Sequence, residues 1–169
     1  MEKYLGQLIS IKFEDKKLIS RGFLIDYSSD WILLKSNPVD YVIDGYVILR
    51  NKNIKSVSRD EDNIFTEKVI LLKGLKIDNK NIIPLSDLTS ILTFLNDKYE
   101  VFQLATKREK AVYLGKLIEI SEEELTIDFL ETRGDFGGEM IFNPTKIRVI
   151  EFDTDYINSL KLVNRLSKE

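Results

Sequence analysis

The sequence predicts a mainly β protein with helical additions, organised as two small five-stranded β-barrels in tandem. Short segments in which apolar and polar residues alternate are separated by polar or glycine turns, a pattern typical of strands in a small barrel. The segment 22–57 also matches the segment 115–150, which lies 93 residues further along the chain, without a gap. The two matched segments predict two copies of one β-rich module.

The match between the segments depends on apolar pattern and turn glycines more than on identity. The identical positions, numbered in the first segment, are Gly22, Leu24, Ile25, Ser28, Gly45, Ile48 and Ile54. The pattern extends upstream, so we expect 8–57 and 101–150 to superimpose. The chain is accordingly divided into a first barrel at 1–60, a helical and extended connector at 61–97, a second barrel at 98–152 and a C-terminal helix at 153–169.

Five strands are predicted in the first module, at 8–13, 22–27, 31–35, 46–50 and 54–57. Asn37-Pro38 ends the third strand, because proline lacks the N–H donor that a central ladder needs. Asp44-Gly45 predicts the turn before the fourth strand, since glycine accepts a positive φ without a Cβ clash. Polar residues at 14–17 and 28–30 predict the two earlier turns.

The second module is predicted to repeat this order, with strands around 101–104, 115–120, 125–129, 140–142 and 147–150. The polar segment 107–110 replaces the first turn of the other module. We interpret the glycine-rich segment 134–138 as a mobile hairpin turn. It leads into a strand, and it lacks the Lys and Ser/Thr that complete a phosphate-binding P-loop.

Three helices are predicted outside the barrels. The first covers 64–73, capped by Asp62-Asn63 and followed by Gly74, and a strand over 69–72 is its alternative. The second begins after an N-cap at Ser86, and the third covers 155–166. The apolar positions at helical spacing are Phe65, Val69 and Leu72 in the first helix, Leu88, Ile91, Leu92 and Leu95 in the second, and Ile157, Leu160 and Val163 in the third.

Composition excludes several classes of site. The 169 residues include no cysteine, which rules out disulfides and cysteine thiolates. They include no histidine, which removes the commonest general base and zinc ligand. The net charge is −3, and lysines are scattered among acids without a basic patch. No apolar run suits a signal peptide or a membrane span, so we expect a cytoplasmic protein with no membrane partner and no cofactor.

The order of strands and the pattern G-x-L-x-x-hydrophobic resemble the Sm-like form of the SH3-like barrel, over roughly 8–57 and 86–150. Gly22, Leu24 and Tyr27 fit the first Sm-like motif, and so do Gly115, Leu117 and Ile120. The resemblance implies two tandem SH3-like (Sm-like) five-stranded small barrels. Sm-like proteins typically form rings and bind single-stranded RNA, so RNA binding is one function that the resemblance implies.

The part of the motifs that contacts RNA in the family is different in this chain. Ser28 and Ser121 stand where the family has Asp, and Ile32 and Leu125 stand where it has Asn. In the second motif, Leu49-Arg50 is followed by Asn51 instead of Gly, and the later copy reads Phe142-Asn143-Pro144. We therefore expect a non-enzymatic module that binds protein, with an RNA-binding Sm-like protein as the alternative.

The third strand of the first module suggests where a partner would bind. Its two faces are predicted to carry Ile32 and Leu34 inward and Trp31 and Leu33 outward, whereas the second module has Glu124 and Thr126 at the latter positions. The candidate partner surface is formed by Trp31, Leu33, Tyr41, Tyr46 and Arg50. The preferred alternative is that Trp31 and Leu33 are covered and contribute to packing.

Other polar residues give weaker candidates. The acidic run 122–124 is interpreted as a solvated turn in preference to a cation or basic-partner site. Asp26 with Asp30, and Asp128 with Glu131, are carboxylate pairs that an enzyme could use. Their spacing does not distinguish them from strand-edge and turn residues, and without a histidine or a metal motif we expect no catalytic site.

Overall fold

The computed structural model describes residues 1–15, 19–77, 80–106 and 111–166. These residues form two compact units, Met1–Ile82 and Ile83–Glu169, so the segment 61–97 is divided between them. The protein is mainly β, as the sequence predicts, with ten strands and three α-helices in the described ranges. The turn predicted at 107–110 lies outside those ranges, as does part of the turn predicted at 14–17.

The first unit contains a five-stranded antiparallel sheet, in the order β5-β1-β2-β3-β4. Its strands are β1 Leu8–Phe13, β2 Ile19–Tyr27, β3 Trp31–Ser36, β4 Tyr46–Arg50 and β5 Ile54–Ser58. Strand β5 leaves β4 through a short turn and pairs with β1. Because no ladder joins β4 to β5 in the described residues, backbone pairing does not close this sheet into the predicted barrel.

Helix α1, Glu61–Leu72, follows β5 in the first unit. Asp60 is its N-cap: the Asp60 carboxylate accepts from the Asn63 N–H at 2.9 Å, and Asn63 Oδ1 accepts from the Asp60 N–H at 3.2 Å. The cap predicted at Asp62-Asn63 is therefore wrong, because Asp62 is already in the first turn. The helical prediction for 69–72 is confirmed and Gly74 follows with a φ of 85°.

The second unit contains the corresponding sheet, in the order β10-β6-β7-β8-β9. Its strands are β6 Phe102–Thr106, β7 Val112–Ile120, β8 Leu125–Leu130, β9 Phe136–Phe142 and β10 Ile147–Phe152. Gly137 and Gly138 lie inside β9, so the hairpin turn predicted at 134–138 is wrong for its second half. Gly138 has a φ of 107°, a backbone conformation that residues with a Cβ rarely adopt, which explains why glycine suits a strand residue here.

The second unit also contains α2, Leu88–Tyr99, and α3, Asp155–Leu166. Asp87 caps α2, accepting from the Ser90 N–H at 2.7 Å, so the N-cap predicted at Ser86 is wrong. The Ser86 hydroxyl instead donates to the Asp87 carboxylate. The predicted stripe of α2 is buried, whereas in α3 only two of the three predicted inward residues are buried and Val163 is exposed.

Most ladder pairs of the first unit recur in the second unit at the offset of 93 residues. The β8–β9 ladder differs by one added pair, Leu130 with Phe136, after a register shift that the β3–β4 ladder lacks. Each pair between β2 and β3 recurs between β7 and β8, including a register shift after Leu24 and again after Leu117. The β1–β5 and β6–β10 ladders likewise shift after Lys12 and Ala105. The interior residues predicted for the third strands, Ile32 and Leu34 with Leu125 and Ile127, are all fully buried.

The residues that the two segments share have matching structural roles. A Cβ at Gly22 would collide with the carbonyl oxygen of Lys35, and a Cβ at Gly115 would collide with that of Asp128. The hydroxyl of Ser28 accepts from the Trp31 N–H at 3.1 Å, and that of Ser121 accepts from the corresponding Glu124 N–H at 3.0 Å. The shared glycines therefore allow two neighbouring strands to approach closely, and the shared serines stabilise the turn that joins those strands.

Candidate functional site

Helix α1 carries most of its apolar side chains on the side that faces solvent. These are Ile64, Phe65, Leu71 and Leu72, of which Phe65 is 57% and Leu72 is 76% exposed. The opposite side buries Asn63 and Thr66 along with Ile70. A surface helix ordinarily buries its apolar stripe, so this arrangement is reversed.

Hydrogen bonds hold the polar side of α1 against β1. The Asn63 amide donates to Ser10 Oγ at 3.0 Å, and Glu67 Oε2 accepts from the Leu8 N–H at 2.7 Å. Arg59 forms a two-point ion pair with Glu67, at 2.7 and 3.1 Å, and donates to the Leu8 carbonyl at 3.1 Å. These charge-assisted contacts fix the helix in the orientation that leaves its apolar side outward.

A loop between β3 and β4 extends the exposed apolar area. The buried Asn37 organises it, because its Nδ2 donates to the carbonyls of Asp40 at 2.9 Å and Val42 at 2.7 Å. Tyr41 then lies edge to face with Phe65, with ring centroids 6.3 Å apart. We call the exposed residues Tyr41, Val42, Ile64, Phe65, Leu71 and Leu72 the α1 surface.

A groove lies beside Tyr41 in this surface. It has a volume of about 350 Å³ and is lined by 41–43, Ile70 and 73–75. Lys73 helps to fix one wall, since its Nζ donates to the carbonyl of Tyr41 at 3.0 Å. The lining is mainly apolar with one cation, which is the composition of a groove that accepts an apolar side chain beside an acidic one.

Charges are distributed unevenly around the α1 surface. Lys68 is exposed among the apolar residues of the helix, and Lys73 and Lys76 are exposed beyond them. Glu61 and Asp62 lie in the first turn, at the other end of α1. The end of the helix next to the groove is therefore positively charged.

The partner surface predicted from the sequence is only partly exposed. Trp31 and Leu33 are each 1% exposed, so they are core residues, and they do not form a binding surface. Arg50 lies over the Trp31 ring, 4.4 Å from its centroid, and is half-buried. Tyr46 is also half-buried, whereas Tyr41 is exposed and belongs to the α1 surface.

The sequence predicts that Phe65 and Leu72 share one stripe of a helix, and it does not predict that this stripe is exposed. The apolar spacing that predicts the helix cannot say whether its stripe faces the sheet. The signal for an outward stripe is the polar pair Asn63 and Thr66 at helical spacing on the other side. Polar residues of this kind are equally common on a solvated face, so the sequence leaves the orientation open.

Asp26 and the acidic run 122–124, two weaker candidates from the sequence, have ordinary structural surroundings. The Asp26 carboxylate accepts hydrogen bonds from the Tyr27 N–H at 2.8 Å and from the Asn81 side-chain amide at 2.7 Å. These contacts give Asp26 a structural role. The acidic run 122–124 is exposed at a turn. In the part of the chain that the structure describes, no group of three or more carboxylates could hold a metal ion.

Among the described residues, no helix has the length and apolarity needed to cross a membrane. The chain was compared with protein-family models, with curated proteins and with solved structures, and none of them matches it.

Proposed function

We propose that this chain is a protein-interaction module made of two copies of one SH3-like (Sm-like) β module, and that its first unit binds a partner segment through the α1 surface. The partner segment presents apolar side chains flanked by acidic ones. The outward apolar side of α1 carries this proposal. An exposed, contiguous apolar area with an aromatic pair is typical of a partner surface.

The ladders support the idea of two copies. The strand order and the register shifts of the β2–β3 and β1–β5 ladders recur at one offset, which unrelated sheets have no reason to share. The same offset relates Gly22 to Gly115 and Ser28 to Ser121, and each pair has one structural role. The modules therefore share a framework, and their chemistry differs outside it.

The geometry of the α1 surface supports an apolar partner. Tyr41 and Phe65 are held against each other, so the partner meets side chains that lose little conformational freedom on binding. Leu72 adds apolar area at the end of the helix, and the groove beside Tyr41 offers a recess for one partner side chain.

The charges around the surface support acidic residues in the partner. Lys68 interrupts the exposed apolar residues of the helix, and Lys73 lines the groove. Carboxylates at the rim of the partner segment would be attracted by the positive charge of these lysines. This attraction raises the association rate and disfavours basic segments. We expect added salt to weaken the binding of the partner. The association rate constant should fall more than the dissociation rate constant rises.

Affinity capture with matched baits tests the proposal. The wild-type chain is compared with Phe65→Ser/Leu72→Ser, and with Ile141→Ser as a control, because Ile141 is also exposed, at 62%, but lies in β9. A protein retained by the wild type and by the Ile141 variant, and lost with the double variant, supports the α1 surface. The purified candidate is then titrated against the wild type and against Lys68→Glu/Lys73→Glu, which we expect to weaken binding.

Two results would count against the proposal. If all three baits retain the same proteins, the α1 surface does not select a partner. If the wild type self-associates in sedimentation and the double variant does not, the occupant is a second copy of the chain instead of an acidic partner. Circular dichroism of each bait confirms folding, which exposed substitutions should preserve.

A further inference from the structure

The second unit contains a cleft that the function proposed above does not use. It has a volume of about 160 Å³ and lies between the start of β6, the β8–β9 turn and α3. Three cationic side chains line it: Lys116, Lys161 and Arg165. Glu100 is the one acidic side chain among its lining residues. We call this site the cationic cleft.

The charges of the cationic cleft do not cancel. Glu100 Oε2 lies 3.3 Å from Arg165 Nη2 and 3.8 Å from Lys161 Nζ. Lys161 also donates to the carbonyl of Tyr99 at 2.7 Å. The lining residues therefore carry one carboxylate and three cations. Lys116 Nζ lies 5.1 Å from the centroid of the Phe136 ring, and Asp128, the cross-strand partner of Lys116, is not among the lining residues. The surplus of positive charge favours an anion.

The floor of the cleft is apolar. Val101 and Leu130 line it and are nearly fully buried, in a core cluster that also contains Ile157 and Leu160. Phe136 packs against the same cluster and forms one wall. Cations above an apolar floor suit a ligand that has an anionic group at one end and an apolar body at the other.

Backbone strain is located at the acidic residue of the cleft. Glu100 has a φ of 67° and a ψ of −52°, and the Val101 N–H bonds to the carbonyl of Tyr99 at 2.8 Å. This geometry is a three-residue γ-turn of the rare positive-φ kind. Strained residues held by their surroundings concentrate at ligand sites, where the surrounding structure over-determines them.

The cleft has a counterpart in the first unit. Two residues separate α1 from β5, and two residues separate α3 from β10. Each helix borders a recess next to the connection between the third and fourth strands of its unit. Phe136 and Ile43, which are 93 residues apart, line the two recesses. One framework thus carries an apolar groove in the first unit and a cationic cleft in the second.

We propose that the cationic cleft binds a small organic carboxylate whose apolar body is about the size of a benzene ring. A cavity of roughly this volume accommodates benzene. The carboxylate would pair with Lys116 and Arg165, whose N–H groups form charge-assisted hydrogen bonds with it. The apolar body would lie on Val101, Leu130 and the Phe136 ring.

Titration of the full chain with benzoate, followed by NMR and calorimetry, tests this assignment. We expect saturable binding in the submillimolar to millimolar range, which is typical of so small a ligand. Benzamide and inorganic phosphate are the matched probes: the first keeps the ring without the charge, and the second keeps the charge without the ring. Benzoate should bind at least about tenfold more tightly than either.

Substitutions of residues that line the cleft test whether benzoate binds there. Lys116→Met/Arg165→Gln should weaken benzoate at least about tenfold, whereas Lys146→Met, an exposed lysine of the same unit, should not. No saturation with benzoate, equal binding of phosphate, or equal benzoate binding by the double variant would each overturn the assignment. The Phe65→Ser/Leu72→Ser variant should bind benzoate like the wild type, so this test and that of the α1 surface are independent.

Discussion

The carboxylate of Glu100 lies 3.3 Å from the guanidinium of Arg165, at a backbone position with a φ of 67°. Burial raises the pKa of Glu100, but the hydrogen bond from Arg165 and the charges of Lys161 and Lys116 together outweigh burial. The pKa therefore lies below its ordinary value. A carboxyl whose pKa is lower in the folded state stabilises the fold above its unfolded pKa, and this contribution is lost as the pH falls through the folded pKa.

Replacing Glu100 with Gln should therefore lower the melting temperature near neutral pH, by an amount that shrinks in acid. The reason is that the wild type alone loses the contribution of the ionised carboxyl as the pH falls. Thermal melts of both proteins at a series of pH values below 7 measure the difference. Glu122→Gln, in an exposed turn, is the control. A difference that stays constant with pH would show that the ion pair is not its source.

Replacing either Gly22 or Gly115 with Ala should destabilise its unit. Each added Cβ would meet a carbonyl oxygen of the neighbouring strand, closer than real Cβ contacts occur, so the strands must separate. We expect a loss of about 1–3 kcal/mol in the free energy of unfolding for each variant, as for other overpacked sites. Chemical denaturation measures this loss, and Lys12→Ala, an exposed β1 residue, should cost much less.

The two glycines also show which parts of the fold the sequence reveals. Alternation and turn glycines are local consequences of the backbone, so nine of the ten strands in the described residues begin within three residues of their predicted starts. The exception is β9, which begins four residues before its predicted start because its glycines mimic a turn. The orientation of α1 is not local. It depends on contacts of Asn63 and Glu67 with Ser10 and Leu8, which are more than 50 residues away in sequence. Apolar spacing alone cannot reveal such contacts, so the α1 surface was missed.

Alternation separates the two faces of a strand and does not say whether both are covered. The sequence favours burial of Trp31 because large aromatic residues usually pack in cores. Because Trp31 is 1% exposed and lies under Arg50, Trp31→Ala should cost about 3–5 kcal/mol of unfolding free energy. Chemical denaturation with Tyr41→Ala as the exposed comparison measures the cost. A small effect at Trp31, close to that at Tyr41, would contradict its assignment to the core.

Single-stranded RNA should not be retained by the chain in filter binding, even at about 50 mM salt, where phosphate contacts are strongest. If the chain is aligned with Sm-like proteins as its resemblance implies, Ser28 and Ser121 stand where those proteins have aspartates. The hydroxyls of both serines accept hydrogen bonds from backbone N–H groups of the following turn. Retention that falls steeply as salt rises would instead favour the Sm-like RNA-binding alternative.

Asn37 connects stability to the α1 surface. It is 2% exposed, and its Nδ2 donates to the carbonyls of Asp40 and Val42, which shape the loop that carries Tyr41. The second unit has Leu130 at the matching position. In Asn37→Leu the Val42 carbonyl loses this donor, and the Asp40 carbonyl keeps only the longer contact from Arg21 Nη2, at 3.4 Å. We therefore expect a loss of about 1–3 kcal/mol and a Tyr41 ring that no longer stays beside Phe65. Denaturation measures the first effect, and ring-to-ring NMR contacts measure the second.

Asn51→Leu, whose exposed amide donates to the carbonyl of Ser29, is the control and should leave the Tyr41–Phe65 contact intact. If Asn37→Leu also leaves that contact intact, the other hydrogen bonds of the loop, such as those from Lys73 and Arg21, are sufficient, and Asn37 does not position the α1 surface.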